Sequence, residues 1–241
     1  MHQELQKYSL SEKGGYQDYK GLTIFAYPNL HNKAYEEFIL LNPKKDSTIL
    51  ILGAGSGAFD QRLLDNGFIN ITSVDFIETS YKVKGTKFIK RDLNKDFEDL
   101  GAFDYIFAVE VVEHLENQFH FIRNIKKCLK TGGYCILSTP NIISKYSKAN
   151  FIVKSELALF SELDLHETGH INIIAPHILN YNFKINGLTV QKTTNEGKFS
   201  LNLKDVFSFR SFIGYIIYNL MMPFLPGNKH QINIYILSNA N

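Results

Sequence analysis

Short runs of aliphatic and β-branched residues alternate along this chain with segments whose apolar residues recur at helical spacing. The run "STILILG" (residues 47–53) ends at glycine and precedes "GAFDQRLLDNG", whose apolar positions fall on one helical face. Further strands are predicted in "FINITSVD", "TKFIKRD", "FDYIFAVE" and "YCILSTPN", with a lead-in helix in "NKAYEEFILLN" and a helix with a Gly-Gly ending in "QFHFIRNIKKCLKTGG". This alternation predicts an α/β fold in which helices cover both faces of a mostly parallel sheet.

The stretch after the fifth predicted strand departs from this alternation. It carries a predicted apolar helix in "ELALF" (residues 156–160) and three histidines before the late strands "GLTVQKTT" and "QINIYILS". A connection of this length in a compact domain usually covers a binding site, so we predict a helical lid. The predicted single domain, 1–241, comprises an N-terminal arm with a lead-in helix (1–47), a core (48–141), a lid (142–187) and C-terminal strands with an apolar helix (188–241).

The length, charge balance and cysteine content of the chain limit the kinds of partner that it is expected to bind. A chain of 241 residues suits one sizeable domain, and its 26 basic and 24 acidic residues nearly cancel. No strong overall field therefore favours nucleic acid or an anionic membrane. Cys128 and Cys135 lie in a predicted helix and a predicted strand, so we expect both thiols to be buried and reduced.

The N-terminus and one late segment bear on location. The N-terminal residues lack the basic start and apolar stretch of a secretory signal, so a cytoplasmic location is expected. Residues 211–228 carry no charge, but Gly214, Asn219 and two prolines interrupt them. We expect a buried or surface-lying helix there rather than one that crosses a membrane.

Three glycines mark the first turn of the predicted core. Gly53, Gly55 and Gly57 lie between a strand and a helix, where glycine allows a tight turn and the close approach of a ligand to the backbone. Asp75 ends the second strand and suits the hydroxyls of a ribose. With Ala58, the string also satisfies the dinucleotide fingerprint G-x-G-x-x-A, so an NAD(P)-dependent oxidoreductase is one candidate for this nucleoside site.

Ionisable residues cluster where the fourth strand is expected to end. In "VEVVEHLEN", Glu110, Glu113 and His114 stand at i, i+3 and i+4, and a helical turn would place all three on one face. Two carboxylates and an imidazole suit a divalent cation. A metal-free acid/base role and purely structural bracing remain open as alternatives. In the lid, His170 follows a turn glycine, and we expect it to take an active-site role.

The order of these motifs resembles that of the class I S-adenosylmethionine-dependent methyltransferases. "ILILGAGSGAFD" looks like their first motif, "SVDF" like their second and "IKRDL" like their adenine-side acid, and "FDYIFAVEVVEHLEN" with "LKTGGYCILSTPN" resembles their fourth and fifth strands. The resemblance covers residues 48–141 well and the remainder loosely. It implies a Rossmann-like seven-stranded sheet whose last strand, "INIYILS", is inserted antiparallel.

The same resemblance implies S-adenosylmethionine as the cofactor, bound across the carboxyl ends of strands one, two and four. Asp75 would then hold the ribose hydroxyls, Asp92 the adenine amino group, and Val109 would line the methionine end. The full set of expected cofactor-binding residues is Gly53, Gly55, Gly57, Asp75, Phe76, Asp92 and Val109.

The string E-x-x-E-H is similar to that of the ubiquinone-pathway O-methyltransferases and of the small-RNA terminal 2′-O-methyltransferases. This resemblance implies a cation, Mg²⁺ or another divalent ion, that orients the acceptor hydroxyl. Its expected ligands are Glu110, Glu113, His114 and His170. The expected catalytic residues are His170, with His166 in reserve, and Glu113.

The acceptor is predicted only by class. We expect a hydroxyl on a small molecule or a glycan, including a lipid-linked acceptor or a quinone precursor. RNA is not expected, because the chain has no basic stripe and no appended RNA module. Lysines interleaved with apolar residues in "NIISKYSKANFIVKSELALF" fit a lid in peripheral contact with the inner membrane face, a cap over a small substrate or a dimer contact.

Overall fold

A seven-stranded sheet forms the centre of the protein. The computed structural model describes residues 17–198 and 216–240. The strands are β1 (Asp18–Tyr19), β2 (Leu22–Thr23), β3 (Ile49–Leu52), β4 (Ile71–Asp75), β5 (Lys87–Lys90), β6 (Phe103–Val109), β7 (Leu129–Pro140), β8 (Thr189–Lys198) and β9 (His230–Ser238). The helices with described bounds are α1 (Leu30–Leu40), α2 (Ala58–Asp65), α3 (Gln118–Cys128), α4 (Lys145–Lys154), α5 (Glu162–Glu167) and α6 (Pro176–Ile185).

The strand order of the sheet is β5-β4-β3-β6-β7-β9-β8. β3 to β7 pair in parallel with one another, and β9 lies antiparallel between β7 and β8. The predicted Rossmann-like sheet with an antiparallel last strand is therefore confirmed. Because β3, β4, β5 and β6 run in one direction, the residues that follow them meet at a single edge of the sheet.

Alternate residues of the central strands enter two separate cores. In β3, Leu50 and Leu52 join the core that contains α3 and α6, whereas Ile49 and Ile51 join the core that contains α1 and α2. β6 divides in the same way. This two-sided burial explains why the central strands consist of uninterrupted apolar runs rather than alternating apolar and polar residues.

Aromatic rings fill the second core. The ring of Phe38, which is fully buried on α1, has its centroid 5.0 Å from that of Phe68, 4.9 Å from that of Tyr105 and 5.2 Å from that of Phe107. Truncation of such a ring to alanine costs about 3–5 kcal/mol. The contacts of Phe38 thus hold α1 against the strands whose ends carry the candidate site.

The end of α3 differs from the prediction. The helix stops at Cys128, and the Gly-Gly pair lies within β7, where the pairing partners jump from Leu129 to Tyr134. A Cβ atom on Gly133 would lie 2.9 Å from the carbonyl oxygens of Asp104 and Lys130. These glycines therefore permit an irregularity in the strand, and the expected Gly-Gly helix ending was wrong.

In the segment 142–187, which was predicted to form a lid, the helices have other boundaries than expected. Residues 156–160, the predicted helix "ELALF", form a turn between α4 and α5. Ser155 ends α4 with φ 61°, and Leu159 adopts φ 65°. Ser161 then starts α5 through a reciprocal capping box with Asp164.

The late apolar segment lies partly outside the described residues. Of its described part, Tyr218 and Met222 pack against Ala149 of α4. Among helices within 17–198 and 216–240, none combines the length and apolar character needed to cross a bilayer. The two thiols, Cys128 and Cys135, are buried and free, as expected.

Candidate active site

The glycine-rich turn between β3 and α2 lies at the carboxyl edge of the sheet. Gly53, Gly55 and Gly57 adopt φ values of 74°, 56° and 87°. A Cβ atom on Gly53 would lie 2.5 Å from Cγ2 of Val111, and one on Gly57 would lie 2.4 Å from Cγ2 of Val83. Glycine is thus required here both by the left-handed backbone and by the lack of space.

Asp75, at the end of β4, braces this turn. Its carboxylate accepts hydrogen bonds from the backbone N–H groups of Gly55 at 2.8 Å and Ile77 at 2.9 Å. Burial raises the pKa of Asp75, and these backbone donors partly offset that rise. Each carboxylate oxygen retains a lone pair, so the side chain fits a partner with two hydroxyl donors, such as a ribose.

The other expected cofactor residues follow neighbouring strands. Phe76 lies directly after β4 with an exposed ring, and Val109 ends β6. Asp92 follows β5, and its carboxylate accepts from the backbone N–H of Asn94 at 2.9 Å. The strand order therefore brings the glycine turn, Asp75, Asp92 and Val109 to one edge of the sheet.

The chain leaves β6 through an unusual backbone conformation. Glu110 has φ 55°, and only a short 3₁₀ turn, Val112–His114, follows it. The backbone N–H of Glu110 donates to the Ser138 hydroxyl at 3.0 Å, and that hydroxyl donates to the Glu110 carboxylate at 3.3 Å. The expected helical face shared by Glu110, Glu113 and His114 was therefore wrong.

Three ionisable side chains nevertheless come together beyond this turn. Potential ligand atoms of Glu113, His114 and His170 all lie within 4.8 Å of one another, and Glu110 is outside this group. Backbone N–H groups of Ile171 and Asn172 donate to the Glu113 carbonyl at 3.0 and 2.9 Å. These bonds place His170 beside a turn that is more than fifty positions away in sequence.

Hydrogen bonds to carbonyl groups orient both imidazoles. Nδ1 of His170 lies 2.6 Å from the Leu159 carbonyl oxygen, and Nδ1 of His114 lies 3.2 Å from that of Gly169. A carbonyl oxygen only accepts, so Nδ1 carries the proton in each bond and Nε2 carries the lone pair of the neutral ring. Burial lowers the pKa of His170, which favours that neutral ring.

Glu113 is fully buried without a hydrogen bond of normal geometry. Neither of its carboxylate oxygens has such a partner among the residues that the structure describes. Burial, and then the charge of Glu110, raises the pKa of Glu113, while the nearby Thr139 hydroxyl offsets this only partly. Burial also raises the pKa of Glu110 to about 7. Both shifts disfavour two negative charges in this buried pair, and a bound cation would compensate for them.

This donor set fits a divalent cation. A buried carboxylate that lacks donors and two imidazoles oriented through Nδ1–H bonds match the ligand types and supporting contacts of transition-metal sites. His166, the reserve candidate, lies exposed near the end of α5 and is not brought into the group.

The N-terminal arm covers the glycine turn, which the sequence did not indicate. The Ser56 hydroxyl donates to the Thr23 carbonyl at 2.6 Å, and the ring of Phe25 lies against Gly55. Between arm and turn is a cavity of about 30 Å³. Its lining comprises Thr23, Phe25, His31, Ile51, Gly53, Ala54, Gly55, Ser56, Ala58, Phe59, Phe107 and Val109. No periodic pattern marks these contacts, because they depend on how the arm folds back.

Residues 29–193 match a protein family described as "Methyltransferase domain". Among curated proteins, the ubiquinone biosynthesis O-methyltransferase of Rickettsia typhi is 30% identical over 105 residues, which are 40% of this chain and 42% of that protein. The protein of the same name from Caulobacter vibrioides is 28% identical over 109 residues, 41% of this chain and 43% of that protein. The chain thus spans about two-fifths of the length of these relatives.

Solved structures resemble the whole fold at lower identity. A SAM-dependent methyltransferase from Archaeoglobus fulgidus superposes with TM-score 0.57 at 19% identity, covering 86% of this chain and 92% of that chain. Phosphoethanolamine N-methyltransferase 2 of Haemonchus contortus, in complex with S-adenosyl-L-methionine, has TM-score 0.57 at 13% identity, covering 87% of this chain and 53% of that chain.

These matches give no support to the oxidoreductase alternative. The methyltransferase prediction is confirmed, since the family match covers more than half of the chain. This chain belongs to the methyltransferase domain family, among the class I S-adenosylmethionine-dependent methyltransferases.

Proposed function

We propose that this protein transfers a methyl group from S-adenosylmethionine to a hydroxyl oxygen of a small-molecule or glycan acceptor. The observation that carries this proposal is the group of Glu113, His114 and His170 directly beside the glycine turn. Val111 links the two, because it packs against Gly53 and lies two residues before Glu113. The names of the curated relatives, which are O-methyltransferases, favour oxygen as the methyl acceptor.

Each expected cofactor residue would contact a different part of the methyl donor. Asp75 would accept from the ribose hydroxyls, Asp92 from the adenine amino group, and Val109 would contact the methionine end. Phe76 would offer its exposed ring, and Gly53, Gly55 and Gly57 would let the backbone approach closely. When bound, the donor supplies a methyl group made electrophilic by its sulfonium. The chain's own task is to aim the acceptor oxygen and to remove its proton.

Two assignments of the ionisable group are consistent with its chemistry. In the first, Nε2 of the neutral His170 ring accepts the hydroxyl proton, while Glu113 stabilises the resulting imidazolium. In the second, Glu113, His114 and His170 hold a divalent cation, while the charge of Glu110, which lies outside this group, acts on Glu113 from nearby. Such a cation would lower the pKa of the acceptor hydroxyl. We favour the second assignment, because it neutralises a buried carboxylate that has no hydrogen bond of normal geometry.

The test combines binding, turnover and chelation. Purified protein is titrated calorimetrically with S-adenosylmethionine, S-adenosylhomocysteine, NAD⁺ and NADH, and only the first two are expected to bind. It is then incubated with a labelled methyl donor and panels of catechols, sugars and lipid-linked polyols. Methylation is expected to stop in excess chelator and to return with Mg²⁺ or Mn²⁺. Full activity in chelator would leave the acid/base assignment in place of the metal.

Substitution of Glu113 separates chemistry from cofactor binding. E113Q is expected to reduce turnover by about 100-fold or more, with affinity for S-adenosylhomocysteine within about twofold of the wild type, since the carboxylate acts on the acceptor side. E116Q, three residues further along and exposed, is the matched control and should be fully active. An active E113Q variant, or one that loses cofactor affinity in proportion to its turnover, would contradict this role.

We also propose that the segment 142–187 covers the acceptor and that its outer face contacts a lipid surface. Phe151, Ile152 and Val153 are exposed on α4, and Lys154 lies next to them. This combination fits an interfacial helix. Both the role of the lid and the division of the chain into a single domain, 1–241, stay predictions.

A further inference from the structure

The cavity between the N-terminal arm and the glycine turn has a definite electrostatic character. None of its lining residues is acidic. It lies at the N-terminal end of α2, where Gly57 provides no side-chain cap for the first turn. The positive end of the helix dipole therefore lies near Ala58 and Phe59 without a side-chain cap. Asp60, in the same turn, does not line the cavity, and its carboxylate accepts hydrogen bonds from Ser73 and Tyr81.

A histidine from a different element completes this cavity. His31 stands in the first turn of α1 and packs edge-on against Phe59, with ring centroids 5.2 Å apart. Its Nδ1 is buried without a hydrogen-bond partner anywhere in the described parts of the chain. A buried polar atom left unpaired is costly, so a ligand group that pairs with it gains affinity.

The surroundings of His31 favour an anion. Arg62, one turn further along α2, lies close enough for its charge to add to the effect of burial, which lowers the pKa of His31 to about 3. Arg62 is itself held by the Asn32 side chain and by the Tyr19 ring, 4.8 Å from the guanidinium carbon. The helix end and the guanidinium attract negative charge, and the tautomer of His31 that is protonated at Nδ1 would donate a hydrogen bond to it.

The methyl donor carries only one anionic group. Its sulfonium and ammonium are cationic, and its adenine and ribose are neutral, so a positive cavity suits the carboxylate alone. We propose that His31 is the residue that recognises the carboxylate of S-adenosylmethionine, in the cavity between Phe25, Phe59 and the glycine turn. This inference rests on the proposed function, since it requires that donor to bind.

Two ligands that differ only in this group provide the test. S-adenosylhomocysteine carries the carboxylate, and S-adenosyl-3-thiopropylamine lacks it. Calorimetric titration of H31F is expected to show S-adenosylhomocysteine binding weakened by about tenfold to a hundredfold, the range for a charge-assisted hydrogen bond. The affinity for the thiopropylamine should stay within about twofold of the wild type, because that ligand does not use His31.

Controls separate this inference from the loss of the fold. H177A, at an exposed position on α6, is the matched histidine control and should bind both ligands as the wild type does. Thermal melting verifies each variant, and if H31F does not fold, H31A is used for the same comparison. Equal losses for the two ligands, or no loss for either, would overturn the assignment of His31. A wild-type protein that binds neither nucleoside would instead overturn the proposed function, and this inference with it.

Discussion

At the scale of single residues, Asp60 is a buried ionisable residue outside the candidate site. It belongs to the first turn of α2, and the hydroxyls of Ser73 and Tyr81 donate to one of its carboxylate oxygens. Burial raises the pKa of Asp60 to about 6, and the two hydroxyl donors only partly offset this. The second oxygen has no partner among the described residues. The folded protein therefore binds a proton at this position more tightly than the unfolded chain does.

This difference fixes the sign of a pH effect on stability. Because the folded pKa is above the unfolded one, the contribution of Asp60 is most favourable below about pH 4 and is lost as pH rises to about 6. The loss amounts to about 3 kcal/mol for a shift of this size. In D60N, which cannot ionise, the decline in the free energy of unfolding between these pH values should be smaller by that amount.

Urea unfolding of both proteins across this pH range measures the effect. Glu110 and Glu113 titrate in wild type and variant alike, so the difference between the two curves isolates Asp60. Parallel curves for the wild type and D60N would show that the carboxyl group of Asp60 is not the source of the pH dependence.

Single residues also mark the limit of sequence-based prediction for the site. The string E-x-x-E-H and its resemblance to known O-methyltransferases predicted that Glu113, His114 and His170 lie together, and the structure brings their potential ligand atoms within 4.8 Å of one another. The left-handed conformation of Glu110 was not predictable, because a glutamate gives no local signal for positive φ. His31 was not singled out for another reason: its buried environment depends on Phe59 and Arg62, which belong to a different helix.

At the scale of elements, the glycine turn depends on two separable effects. At Gly53 the backbone is left-handed, φ 74°, and Val111 already occupies the space that a Cβ atom would need. Gly132, in the irregular part of β7, has nearly the same φ, 77°, but no atom lies within 4 Å of the place that a Cβ atom would take there. Substitution of Gly132 by alanine should therefore cost only the free energy of placing a residue with a Cβ atom in a left-handed conformation.

The pair G53A and G132A tests this separation. G132A should lower the free energy of unfolding by about 1–2 kcal/mol, the cost of left-handed backbone for a residue with Cβ. G53A should lower the free energy of unfolding by a further amount of about 1–3 kcal/mol, because the new methyl group overpacks against Val111. In a protein of this size, each kcal/mol corresponds to about 2–4 °C in melting temperature. Equal shifts in the two variants would mean that the turn relaxes away from Val111 without cost.

The elements also explain which parts of the fold were predictable. β3 and β6 are buried on both faces, and their uninterrupted apolar runs are hard to place elsewhere. The prediction of a helix in residues 156–160 was wrong because the chain reverses there through Ser155 and Leu159, which adopt left-handed conformations. Neither residue is a glycine, so nothing in the sequence signalled the reversal. The predicted end of α3 was wrong because a Gly-Gly pair is compatible with an irregularity in a strand as well as with the end of a helix.

At the scale of the whole molecule, exposed apolar residues concentrate around the lid. Besides Phe151, Ile152 and Val153 on α4, Leu163 and Phe224 are exposed, the last to 86%. Lys145 and Lys148 of α4 donate to the carbonyls of Met222 and Pro226, which ties the C-terminal apolar segment to this helix. The apolar surface is thus shared between two stretches that are distant in sequence.

A lipid-facing role for this surface is tested with vesicles. I152D should reduce cosedimentation with phosphatidylcholine and phosphatidylglycerol vesicles by about tenfold, since a charge replaces buried apolar area. I69D is the matched control, because Ile69 is exposed to 67%, similar to the 59% of Ile152, but precedes β4 at the other edge of the sheet. Absence of vesicle binding by the wild type, or equal loss in both variants, would contradict the proposal.

The backbone hydrogen bonds between the segment 142–187 and the 3₁₀ turn have a consequence for the entry of an acceptor. Ile171 and Asn172 donate to the Glu113 carbonyl, and the Asn172 side chain donates to that of Leu115 at 3.0 Å. If this segment swings outward to admit an acceptor, it carries the His170 imidazole away from Glu113 and His114. Opening for the acceptor would then also separate His170 from Glu113 and His114. The protein would be inactive while it is open, and closure would bring the three side chains together again.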